Sequence, residues 1–176
     1  MNSGHLILTI GALMLLLTSL LSINRILLMS DEDLSAAQTD MLAMSLTSSY
    51  LDLARGMAYD RLLDTTSYLI TDPSVFVPSG VLGPDSTDED TLTTFSDIDD
   101  FDGYELEIPI RASDQRYKSR FAVHYVTDAN PDQFSSTQTF LKRIDVQTWR
   151  TYPPAPKTRP PDTLKAFVVL SYDDLN

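Results

Sequence analysis

The sequence predicts an α+β protein: a long N-terminal α-helix, membrane-spanning and then amphipathic, packed on a C-terminal antiparallel sheet of about four strands. Three observations carry this. The chain opens on the apolar run "LILTIGALMLLLTSLLSINRILL". A stretch rich in Ala, Leu and Met follows, with no proline before Pro73. After it, alternating apolar segments come as a block instead of between helices, the pattern of an antiparallel sheet.

The apolar run covers residues 6–28 and carries one charged side chain, Arg25. As a helix its 23 residues would reach about 35 Å, enough to cross a bilayer core. Leu6, Ile7, Ile10, Leu13, Leu17, Leu20 and Leu21 are the lipid-facing candidates. A cleaved export signal is the rival reading. It wants a basic residue before the run and a small-x-small site after it. Neither is present: a cut after Ser22 would place Leu20 where a small residue belongs. The expected divisions are a leader at 1–4, an apolar helix at 5–30, its amphipathic continuation at 31–66 and a β-rich head at 67–176.

The continuation predicts two apolar stripes. Leu34, Ala37, Met41, Met44, Leu51 and Ala58 form one, and Leu42, Leu46, Tyr50, Leu53 and Met57 the other. One stripe suffices to seat a helix on a sheet, so the second is expected to face a partner helix. Ser22, Asn24 and the acids at 31–33 are the expected weak points.

From 67 to 103 the Pro, Gly, Ser, Thr and Asp content predicts a long loop with at most short strands. Strands follow at 104–110 ("YELEIPI"), 117–126 ("YKSRFAVHYV"), 140–149 ("FLKRIDVQTW") and 164–172 ("LKAFVVLSY"). The last is nearly continuous in apolar residues and reads as central. His124 falls out of phase with Phe121, Val123 and Tyr125, so it is expected on the opposite face. "TYPPAPKTRPP" must be an extended surface loop.

Charge and composition exclude several functions. There is no cysteine, hence no disulfide, thiolate metal site or cysteine nucleophile. A net charge of −12 argues against nucleic acid as a partner. Two histidines, no Gly-rich phosphate loop and no Ser-His-Asp pattern give no enzymatic constellation. No cofactor is required by the sequence. Residues 65–103 hold nine acids and no base, whereas 104–176 hold ten bases. Arg111, Arg116, Lys118, Arg120, Lys157 and Arg159 could therefore meet the acidic loop at 85–102 of a neighbouring copy. Within that loop "SDIDDFDGYE" places Asp97, Asp99, Asp100 and Asp102 close together. Such a cluster is either a solvated turn or an oxygen site for Ca2+. It is not an EF-hand, because aligning Gly103 with that loop's glycine puts Pro109 at the bidentate Glu position.

A short polar leader ending in Gly4, an apolar helix uncharged up to Arg25, an amphipathic continuation and a sheet together resemble type IV pilins and pseudopilins. "DIDDFDGYE" looks like a segment preceding their sheet, and "FLKRIDVQTW" with "DTLKAFVVLSY" like their last two strands. The resemblance implies cleavage by a prepilin peptidase after Gly4, leaving His5 as the new terminus. It implies a single-pass subunit in the inner membrane, with its head outside, that assembly machinery extracts into an extracellular filament. The partners would be copies of itself or other pilin-like subunits, packed through Leu42, Leu46, Tyr50, Leu53 and Met57. The family normally places Phe after the glycine and Glu at the fifth mature position, where this chain has His5 and Thr9. Within the family that departure implies a minor or tip subunit instead of a major one. The rival class is a non-polymerising, single-pass envelope protein whose head binds a ligand or scaffolds other proteins.

Overall fold

A computed structural model of the chain describes residues 3–61, 70–84, 88–111, 114–154 and 163–174. It divides into two units, Met1–Met41 and Leu42–Asn176. One helix, α1 (Ser3–Arg55), contributes to both. Ala, Leu, Met and Ser dominate it, with no proline and two glycines, Gly4 in the first turn and Gly11. The chain is helical at Ser22, Asn24 and 31–33, so none of these breaks it.

The helix stops short of its expected end near residue 66. Gly56, a weak helix former, follows Arg55, and the last turn tightens: Gly56 N–H donates to the Leu53 carbonyl at 3.0 Å and Met57 N–H to that of Ala54 at 3.2 Å. Tyr59 and Asp60 then turn into the core, where both are fully buried. The part of the expected continuation at 62–66 lies outside the described residues.

The Leu42–Asn176 unit holds a five-stranded antiparallel sheet. Its strands are β1 (Glu105–Ile110), β2 (Gln115–Thr127), β3 (Asn130–Phe134), β4 (Leu141–Tyr152) and β5 (Thr163–Ser171). The main order is β1-β2-β4-β5, with β3 returning as a short hairpin on β2. β3 is the strand the sequence does not announce. It is five residues long, exposed throughout and contains Pro131, which an edge position tolerates. β5 lies at the edge, not the centre. Its apolar run is continuous because apolar residues stand on both faces: Val168 and Leu170 enter the core, while Phe167 lies outward, half exposed, with the Arg143 guanidinium 3.9 Å from its ring centre.

Strict alternation sets the inner face. Tyr117, Ser119, Phe121, Val123 and Tyr125 of β2 point inward with Lys142, Ile144, Val146 and Thr148 of β4. Register places Phe121 opposite Val146, Val123 opposite Ile144 and Tyr125 opposite Lys142. His124 is on the outer face as expected, stacked on Phe134 with ring centres 3.9 Å apart. The C-terminal turns of α1 lie on the inner face. Tyr50, Leu51 and Ala54 join the apolar core, and Thr47 meets Thr148 through hydroxyls 2.9 Å apart. The same Thr148 hydroxyl is 3.0 Å from that of Ser119, so this polar seam is paired within the core.

The described loop segments, 70–84 and 88–104, cover the remainder of the core. They include 3-10 turns at Pro73–Val75 and Asp99–Phe101. Phe76 packs with Tyr59, Phe140 and Tyr172, and Phe101 with Phe95 and Phe121. Gly103, at φ 74°, makes the turn into β1 that an L-side chain would resist.

Candidate functional site

Two features stand apart from ordinary packing. The first is the apolar portion of α1. Leu6, Ile7, Ile10, Leu13, Leu17, Leu20 and Leu21 are all exposed, from 48% at Ile10 to 70% at Ile7. Leu8, Leu15, Leu16, Leu27 and Leu28 are exposed as well, so apolar side chains surround the helix. A helix apolar on every side needs an apolar environment supplied from outside itself. By length and composition it is able to cross a membrane. Its hydroxyls suit such surroundings: Thr9 donates to the His5 and Leu6 carbonyls at 2.9 Å, and Thr18 to that of Leu15 at 3.0 Å. Gly4 and His5, the expected processing pair, lie exposed in the first turn.

The two stripes of the continuation divide differently from expectation. Within the stripe assigned to a partner, Tyr50 is 7% exposed in the unit's own core, and Leu46 and Met57 pack against that core. Leu42 is half-buried, and only Leu53 is exposed. Leu34, Met41 and Met44 of the other stripe are open instead, Met41 at 70%. The inward face is set by small residues that sequence periodicity undervalues. Ala43, Thr47 and Ala54 let the helix approach the sheet closely, and Tyr50 and Leu51 flank that line.

The second feature is the acidic segment. Its aspartates do not surround a common point; among the described residues no three His, Cys, Asp or Glu side chains are grouped to hold a metal ion. Each carboxylate has a different task. Asp102 Oδ1 accepts from the Val123 N–H at 2.9 Å, satisfying a β2 donor beyond the end of β1. Asp100 Oδ2 accepts from the N–H groups of Ser96 at 2.7 Å and Asp97 at 3.2 Å. Asp97 accepts from the Arg61 N–H at 2.6 Å and the Asp99 N–H at 3.1 Å. Asp99 Oδ1 takes a bond from the ammonium of Lys142 at 2.8 Å.

Lys142 is the residue sequence reasoning missed. It is fully buried, as are Asp60 and Asp99 beside it. Its Nζ donates to the Tyr59 carbonyl at 2.7 Å and lies 3.8 Å from Asp60 Oδ2. The Tyr59 ring centre is 4.6 Å from Nζ and that of Tyr125 5.5 Å. Asp60 in turn accepts from the Val77 N–H at 3.0 Å. Burial, and then the neighbouring Asp99 carboxylate, push Asp97 up to about 8. Burial likewise raises Asp100, Tyr59 and Tyr125. The signal was present in the sequence, since Lys142 shares the phase of Ile144 and Val146.

This placement also corrects the charge assignment. Asp97, Asp99 and Asp100 are buried and face inward, so they are not part of an acidic surface for a neighbour. Lys118 and Arg120 pair with Glu105 across β1 and β2. Arg111 and Arg116 are exposed, whereas Lys157 and Arg159 lie outside the described residues. Comparison with protein-family models, with curated proteins and with solved structures finds no match.

Proposed function

We propose that the chain is a structural subunit of a type IV pilus-like or pseudopilus filament, held in the membrane before assembly and polymerised through its N-terminal helix. One observation supports this most: an apolar surface runs around α1 from Leu6 to Met29, and the same helix ends docked on an antiparallel sheet. A lipid bilayer can cover that surface before assembly and the helices of other subunits afterwards. Leu34, Met41 and Met44, open on the continuation, replace Tyr50 as candidates for contact with a neighbour. Gly4 and His5 remain the proposed cleavage junction, and Arg111, Arg116, Lys157 and Arg159 the proposed charges between subunits.

Electron microscopy of surface material sheared from cells that make this chain, with mass spectrometry of the filaments, tests the reading. Filaments containing the chain with His5 at its amino terminus are expected. The chain recovered solely from membranes, intact from Met1 and never in filaments, would favour the rival reading: a single-pass envelope protein with a binding or scaffolding head.

A further inference from the structure

The geometry points to a covalent amide between Lys142 Nζ and Asp99 Cγ, formed by the folded protein without an enzyme. Nζ lies 2.8 Å from Asp99 Oδ1 and both side chains are buried, at 0% and 1% exposure. The other oxygen, Asp99 Oδ2, is buried with no hydrogen-bond partner. The pair is thus held in hydrogen-bond contact, with the second carboxylate oxygen left without a partner. Fixing two reactants in this way raises their effective concentration enormously, on the order of 10⁵–10⁸ M in well-oriented cases.

Two further groups supply what condensation needs. Asp97 stands against Asp99, with its Oδ1 on the Asp99 N–H at 3.1 Å, and burial favours its protonated form. A protonated Asp97 can donate to the oxyanion as Nζ adds to Cγ, then recover that proton as the intermediate collapses. The ammonium first passes one proton to Asp99 Oδ1, 2.8 Å away, which leaves a neutral amine beside a carboxylic acid. The Tyr59 carbonyl, 2.7 Å from Nζ, then holds that amine in place and accepts from the N–H that the amide retains. The step balances without any co-reactant. Lysine ammonium and aspartate carboxylate lose one water: the Nζ–Cγ bond forms, the Cγ–O bond breaks, and two ammonium protons leave with the departing oxygen.

The energetics run in the same direction. Two opposite charges in a dry core carry a large desolvation cost that their attraction recovers only in part. A neutral amide removes both charges and keeps the hydrogen bond to Tyr59. The link would tie the Asp99–Phe101 turn to β4 across a sequence separation of 43 residues. In a chain with no cysteine, it constrains the unfolded state as a disulfide would. This inference does not depend on the filament reading.

The test is mass spectrometry of the full-length chain, extracted in detergent, then denatured and digested. A branched peptide joining the Asp99 and Lys142 fragments, one water lighter than their sum, is expected in most molecules. It should be absent from Lys142→Arg and reduced at least tenfold in Asp97→Asn. Linear Asp99 and Lys142 peptides at full mass in the wild-type chain would overturn the inference. So would a loss of water that maps to Asp102-Gly103, where a succinimide has the same mass. The wild-type digest decides alone, so a variant that fails to fold does not blunt the result.

Discussion

At the scale of residues, the protein hides its charge chemistry instead of displaying it. Asp97 illustrates the consequence. Its ordinary value of 3.8 is pushed up to about 8, first by burial and then by Asp99, with Lys142 opposing. The folded chain therefore holds the Asp97 proton more tightly than the unfolded chain does. That contribution to stability is complete below the ordinary value, declines as the pH climbs from there, and is lost above about 8. The head should melt at a higher temperature at pH 6 than at pH 8.5, and Asp97→Asn should flatten the difference. A melting temperature that rises over this interval in the wild type, with no change in the variant, would remove Asp97 as the cause. Asp60, Asp99, Asp100, Lys142, Tyr59 and Tyr125 surround or adjoin this group, and Asp97→Asn would also withdraw the cross-link. The comparison is therefore made on the pH dependence of melting within each protein and not on its absolute temperature. The acidity of 97–102 was legible in the sequence, but its purpose was not. Ion-pair partners far apart in sequence leave no local pattern, and Lys142 is 43 residues from Asp99.

At the scale of elements, alternation was a sound guide wherever one strand face is buried. β1, β2 and β4 fall close to their predicted spans because each alternates cleanly over an apolar inner face. β3 was invisible because it buries nothing, and β5 was misplaced because outward Phe167 and Val169 imitate a strand covered on both sides. The helix taught a different lesson. Apolar spacing alone named two stripes, yet the docked line is built on Ala43, Thr47, Tyr50, Leu51 and Ala54, where small residues admit the sheet. This division is testable by chemical denaturation of the head. Leu51→Ala should cost about 2–5 kcal/mol, the range for a core leucine. Met44→Ala, 56% exposed before truncation, should stay within about 0.5 kcal/mol. Comparable losses at both positions would mean that Met44 is covered too, and that the docked face is wider than Thr47 and its neighbours define.

At the scale of the whole molecule, the two units differ in how much apolar surface each buries. The Leu42–Asn176 unit closes its own core: Tyr50, Phe101, Phe121, Ile144 and Tyr172 are buried without any residue before Leu42. Residues 6–29 bury nothing comparable, and the helix they lie in is long and apolar enough to cross a membrane. Removing residues 1–30 should therefore separate the two demands. The shortened protein is expected to be soluble without detergent and monomeric in sedimentation, with a melting temperature close to that of the full-length head. Full-length protein should partition into detergent or lipid vesicles, or assemble when these are withdrawn. Salt sharpens the distinction, because exposed charges are screened within roughly 3 Å at 1 M salt while apolar burial persists. Assemblies of the full chain should survive 1 M salt even where contacts through Arg111 and Arg116 loosen. Filaments formed by the shortened protein would place the cohesive surface in the head. Complete dispersal of full-length assemblies by salt would instead assign the cohesion to charge, and α1 would be left as an anchor alone.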